Sequence, residues 1–199
     1  MALPAYIDEG TGEITDGEAW VGLGSTTLSS DTAVVTFASP NDGSSTDWGQ
    51  FMDLFLISYA RSAASANDRQ LNVQLNNDTA SSPGNYDSQN VRSYAVGVGS
   101  GVTNDGPRFE IGQISAGSNL TNMFASVYTH FFDINSGKYK SGISRSGQDR
   151  NGGGWCGIWG LTWNSQAPIT EIDIYDLYGS NILTGSRFDL FGILPRMVS

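Results

Sequence analysis

Apolar and polar positions alternate along most of this chain in short segments. Leu71, Val73 and Leu75 are interleaved with Asn72, Gln74 and Asn76, a period of two that predicts a strand with one buried and one wet face. The segment 33–37 is β-branched and aromatic. The segment 51–59, FMDLFLISY, is nearly continuous apolar and suits a strand covered on both faces. Further strands are predicted at 91–98, 108–114, 123–132, 138–144, 155–163, 169–177 and 187–193, after a first one that begins at Ala19. Runs rich in Gly, Ser, Asn and Asp separate them, among them 39–47 and 77–85, and the segment from Arg145 to Gly154 reads as a long polar turn. About ten short strands at such spacing predict an all-β, antiparallel β-sandwich, jelly-roll-like. Residues 1–18 read as an extended acidic N-terminal arm, 19–199 as the sandwich with a short C-terminal tail at 194–199.

Composition sharpens this picture. The chain has 199 residues and 25 glycines, and aromatic residues make up 11% of it, so many turns have to be reconciled with a core of few, large side chains. The net charge of −10 is unevenly placed, because no Lys or Arg precedes Arg61 while nine of the twenty acids do. No basic footprint for phosphate neutralisation is present, so nucleic acid is not an expected partner. The acidic third reads as a solubilising surface or as a complement to a basic protein partner. No apolar run approaches the length needed to span a membrane, and the N-terminus MALPAYIDEG lacks the basic and apolar regions of a signal peptide. Asn77–Thr79 and Asn119–Thr121 match the glycosylation acceptor pattern, to which no secretory context lends weight.

Chemistry is sought first in the stretch 144–170. Trp155, Trp159 and Trp163 are all odd-numbered, and the glycines around them argue for a strand rather than a helix. On a strand they share one face with Gly157 and Leu161, and Cys156, Ile158, Gly160 and Thr162 share the other. The glycines would make room for neighbouring indoles. Core or inter-sheet packing is the expected role, and a platform on which a glycan stacks is the alternative. Cys156, the only cysteine, allows no internal disulfide and reads as a buried small residue. The only histidine, His130, alternates with aromatics and reads as a satisfied sheet residue, with nothing local to pair it with Cys156.

The stretch from Asp133 resembles the start of a calcium loop, but its glycine falls one place early and Ser144 stands where the bidentate Glu belongs, so it reads as a turn. One Cys and one His do not suit zinc. Asp173 and Asp176, or Asp8 and Glu9, do not form an acid–base pair by spacing. The segment 97–101, GVGSG, lacks the lysine and helix of a phosphate loop. No catalytic, metal or cofactor residues are therefore expected.

Two series of segments carry a resemblance. One comprises 19–28, 33–37, 53–62 and 73–79. The other comprises 138–147 (KYKSGISRSG), 154–164 (GWCGIWGLTWN), 167–172 and 186–193 (SRFDLFGI). Together they resemble a virion structural domain of tailed phages, particularly marine ones, found in capsid decoration proteins and fibre tips. The resemblance covers most of 19–193 and is weakest over the loop region 99–122; the tail 194–199 extends past its usual ending. It implies a non-enzymatic, jelly-roll-like sandwich in a virion assembled in the host cytoplasm, forming a homo-oligomer, with trimers suiting both a capsid three-fold and a fibre tip. The role expected from it is capsid decoration (cement) or head fibre. The arm would dock on the major capsid protein or another virion protein through Leu3, Tyr6 and Ile7, with Asp8 and Glu9 meeting basic shell surface. The alternative is a tail fibre or receptor-binding protein that holds a host glycan on the tryptophan face or the 99–122 loops. A hydrolase acting on host polysaccharide is the third class.

Overall fold

The computed structural model describes residues 20–149 and 153–194. Its strands are β1 (Trp20–Thr27), β2 (Val34–Ala38), β3 (Asp53–Ala60), β4 (Asp68–Leu75), β5 (Tyr86–Tyr94), β6 (Gly97–Gly106), β7 (Phe109–Ser115), β8 (Ala125–Phe132), β9 (Lys140–Asp149), β10 (Gly154–Trp163), β11 (Glu171–Asp176) and β12 (Arg187–Ile193), with one 3-10 turn at Trp48–Gln50. An eight-stranded sheet in the order β1-β12-β3-β8-β9-β10-β5-β6 packs on a four-stranded sheet in the order β2-β11-β4-β7. Every pair of named strands is antiparallel. The hairpins β5–β6, β8–β9 and β9–β10 stay within the larger sheet, and all other connections cross between sheets. The expected antiparallel β-sandwich is the fold.

The core lies between the two inner faces. Leu71, Val73 and Leu75 of β4, with Ile172 and Ile174 of β11, meet Leu54, Leu56, Val127, Phe131, Trp159, Leu161 and Trp163 from the larger sheet, all buried. The odd face of β10 thus points inward. Trp159 is 0% exposed, and a Cβ on Gly157 would lie 2.7 Å from its ring and 3.0 Å from Cβ of Arg92, so the glycine is what leaves the indole its place. Trp163 is also buried, and its Nε1 donates to Asp78 Oδ2 at 2.7 Å. Burial alone would raise the Asp78 carboxyl, but donors from Asn85, Trp163 and the Ala80 amide outweigh it and hold it below the usual range. Tyr86 ties the same 77–85 loop down, its hydroxyl accepting from Leu75 N at 2.9 Å and donating to the Asp78 carbonyl at 3.1 Å.

A polar inlay interrupts the apolar core where β5 and β10 pass over β7. Glu110 accepts from Gln70 Nε2 and Gln113 Nε2, both at 3.1 Å, and pairs with Arg92 at 3.5 Å. Burial pushes its carboxyl up, with Arg92, Gln113 and Trp159 holding it partly back. Lys140, on the inner face of β9, is buried and donates to the carbonyls of Ser136 and Lys138, both at 2.6 Å, and burial lowers its ammonium. It fastens the turn after β8 beneath the sheet.

Some expectations are corrected. The segment 91–98 is not one strand, because the chain reverses at Ala95-Val96 between β5 and β6, with Ala95 at φ 49°. Sequence reading missed this hairpin because its connection lacks the Asn-Gly or Asp-Gly pair that marks such turns. The region 99–122 contains most of β6 and all of β7. The polar run after Arg145 continues β9 to Asp149 rather than forming a turn, since its polar side chains occupy a wet outer face and a polar inner one.

Gly157→Ala should lower stability by about 1–3 kcal/mol through crowding of Trp159. Gly160→Ala, where nothing lies nearer than Gln89 O at 4.0 Å, should leave stability unchanged or slightly raised. Denaturant titration followed by tryptophan fluorescence distinguishes the two. Because the Glu110 carboxyl is raised in the folded state, its contribution favours folding below the ordinary glutamate range and is lost as pH rises through the shifted value. The stability of the wild type relative to Glu110→Gln should accordingly fall from about pH 4 upward, as read by urea unfolding at several pH values.

Candidate functional site

The inner face of the larger sheet is filled, so attention falls on its outer face. The ladder registers place the outward residues in rows that run across the strands. One row runs Phe191, Phe55, His130, Ile143, Gly160, Gln89, Val102 from β12 to β6. The next runs Asp189, Ile57, Tyr128, Arg145, Ile158, Val91, Ser100. A third carries Arg187, Tyr59, Ser126, Gly147, Cys156, Ser93 and Val98, and at the other end Trp20 faces Ile193 and Phe132 faces Ser141.

One half of this face is aromatic. Trp20 meets Phe55 and Phe191 edge-on at 4.7 and 6.0 Å between ring centroids. Phe55 meets His130 at 5.7 Å, and His130 stacks on Phe132 at 3.9 Å. Tyr128 lies beside Phe55 at 6.5 Å, and Trp20, Tyr128 and Phe132 all remain exposed. His130 is held by Asp53, with Nε2 and Oδ2 2.9 Å apart, and the same carboxylate accepts the Asp133 amide at 2.8 Å, so a buried acid anchors both the ring and the following turn. Asp189, also mostly buried, takes Ser25 Oγ at 2.5 Å and pairs with Arg187 at 2.8 Å.

The other half is aliphatic and carries two grooves. One of about 410 Å³ is lined by Val91, Val98, Ile158, Cys156 and Arg145. The second, of about 380 Å³, is polar, with Asp87, Gln89, Asn104 and Thr162 around Gly160. Gly160 is the floor that gives this groove its depth, since a side chain there would stand into it. Asp87 is already engaged, accepting from the Asp105 amide at 2.8 Å and from Asn164 Nδ2 at 2.7 Å.

The residues singled out in sequence fare differently. Trp159 and Trp163 are buried in the core and offer no ring to a surface sugar, which corrects the stacking platform at those two positions. Trp155 keeps partial exposure, but Tyr94 and Arg92 lie over its ring at 5.1 and 5.3 Å, and its Nε1 donates to Asp68. Cys156 is exposed rather than buried, because the parity that turns the tryptophans in turns it out. Cys156 and His130 share a face but stand two strands and two rows apart, roughly 16 Å at ordinary strand spacings, so they form no dyad. The 133–138 stretch is a turn, with Lys138 Nζ 3.1 Å from Asp133 Oδ2. Asp173 accepts from Thr36 at 2.5 Å and Asp176 from Ser62 at 2.7 Å, each a structural acceptor. Among the described residues no group of three His, Cys, Asp or Glu is placed to hold a metal ion. Leu3, Tyr6, Ile7, Asp8 and Glu9 lie outside the described residues. Sequence reading missed the outer aromatic face itself. Its signal was the alternation Tyr128, His130, Phe132 set against the inward Val127, Thr129, Phe131.

The sequence matches no protein-family model and no curated protein. Among solved structures it is similar to CBM40 of the Ruminococcus gnavus IT-sialidase, bound to α2,6-sialyllactose in one structure and to α2,3-sialyllactose in another. Identity is 9% to each, 88% of this chain and 96% and 95% of those chains are covered, and the TM-scores are 0.30 and 0.29. A likeness at that level carries no inference about this chain.

Proposed function

We propose that this chain is a non-enzymatic virion structural protein, a capsid decoration (cement) or head-fibre protein that binds the major capsid protein or another shell component and assembles as a homo-oligomer. The observation that supports this reading is the aromatic half of the outer sheet face. A contiguous exposed apolar surface on one side of a folded sandwich is a surface for protein contact. The arm expected to dock on the shell joins the sheet at Trp20, in the same aromatic corner. Arm and ring cluster would then act on one partner surface, the acids steering it and the rings supplying desolvated area.

Quantitative mass spectrometry of purified particles should find this protein in numbers comparable to the major capsid protein. Its absence from particles would end the proposal. Removal of residues 1–18, or the pair Tyr128→Ser and Phe132→Ser, should weaken binding to undecorated shells at least about tenfold while the circular dichroism spectrum is kept.

The polar groove around Gly160 favours a second reading, a tail fibre or receptor-binding protein that recognises a host glycan. Amides and a hydroxyl above a glycine floor suit sugar hydroxyls. A count of only a few copies per particle, with glycan-array binding lost on Gln89→Ala and Asn104→Ala, would support it.

A further inference from the structure

Among the described residues the two sheets have four edges, and three are protected. The β1 edge carries a register break between Gly22 and Gly24, β2 is only five residues long, and β7 is buried along nearly its whole length. These are ordinary ways of preventing stray strand pairing. The fourth edge, β6, is long and exposed, and its one break in register lies beyond Thr103, towards Gly106. It pairs with β5 in unbroken register from Gly97 to Thr103, contains no Lys, Arg or Pro, and turns its free edge to solvent. Outward it carries Val98 at 77% and Val102 at 61% exposure on either side of Ser100, with Val91 of β5 beside them. Val96, at the tip of the hairpin, is fully exposed and follows an alanine at φ 49°. An apolar tip on a left-handed alanine is an unfavourable hairpin turn unless something covers it.

We propose that β6 is a homophilic edge, where it pairs antiparallel with β6 of a second copy around a two-fold axis at Ser100. The strand is self-complementary about that residue. Val98 then stands opposite Val102 of the second copy, Gly99 opposite Gly101, and Ser100 opposite itself. The two outer faces join in one apolar seam with Val91 and Ile158 behind it. The inner side of the strand is all glycine at 97, 99 and 101, so the strand itself projects no side chain there, and the Tyr94 ring and Asn90 amide of β5 lie over these glycines.

Charge points to a second copy rather than to an unrelated chain as the occupant. The molecule carries a net charge of −10, yet residues 93–104 hold no charged side chain. An acidic protein can approach its own copy there without like charges meeting across the seam. Asp105, the first charge beyond that span, comes to lie opposite Ala95. The contact is isologous and two-fold, so it coexists with a three-fold contact elsewhere in any assembly that has both axes, whether dihedral or icosahedral.

Directly opposed residues in antiparallel pairs have the Cα separation a disulfide needs. Ser100→Cys in a Cys156→Ser background should therefore form a covalent dimer under mild oxidation. Thr27→Cys in the same background, on the far β1 edge, should not. The uncrosslinked protein should have an even number of chains by light scattering. Val98→Lys with Val102→Lys should halve that mass and leave the circular dichroism spectrum unchanged, because both side chains are exposed. A wild-type monomer at every concentration, or Ser100→Cys crosslinking no faster than Thr27→Cys, overturns the proposal.

Discussion

The burial of Trp159 against Gly157 decides the parity of the whole larger sheet. A strand has two faces, and a slip of one residue exchanges them. With the indole fixed inward, Ile158 is outward. The ladders then pass that choice along: Arg145 and Tyr128 on one side, Val91 and Ser100 on the other, and through β8 to Ile57 and Asp189. The contents of the outer face, and therefore every surface to which a function is given above, follow from that one packing constraint. The same parity explains why Cys156 is exposed although cysteine is ordinarily among the most buried residue types.

The sandwich class and the inward odd face of β10 were legible because they rest on local period and on glycine placement. Leu71, Val73 and Leu75 alternate cleanly, since β4 belongs to the smaller sheet and has one apolar face. The strands of the larger sheet are harder to read. Residues 51–59 are nearly continuous apolar because the inner side fills the core while the outer side carries Phe55, Ile57 and Tyr59. Such a segment announces two apolar environments, yet not that one of them is left uncovered in the isolated chain. The β5–β6 reversal was illegible for a different reason. Ala95-Val96 has no turn chemistry, and the valines on either side of it read as one continuous apolar strand. The polar residues after Arg145 misled in the opposite sense, because a strand whose inner face meets hydroxyls and amides has no apolar period to detect.

The acidity of the chain takes on a different meaning once the acids are placed. Asp53, Asp78, Asp176, Asp189 and Glu110 are not a diffuse negative surface but acceptors that fix rings, loops and strand ends. A buried or half-buried carboxylate is tolerable only where donors replace its hydration, and each of these has them. What remains for long-range electrostatics in the first third of the chain is chiefly the run of acids before Trp20 (Asp8, Glu9, Glu13, Asp16 and Glu18), just ahead of the strand that starts at the aromatic corner.

The two halves of the outer face therefore ask for different partners. The aromatic half has rings held in place by edge-to-face contacts and by the Asp53–His130 pair, so it presents a preformed shape that loses little side-chain entropy on docking. That suits a foreign surface of fixed contour. The aliphatic half ends in a strand that is uncharged from Gly97 to Asn104 and that no described residue pairs along its free side, and backbone pairing is indifferent to the sequence of the partner but strict about its geometry. A copy of the same strand meets that geometry without any further adaptation. A sheet eight strands wide against one of four leaves its surplus on a single side, and the sequence has divided that side between rigid rings and an open edge.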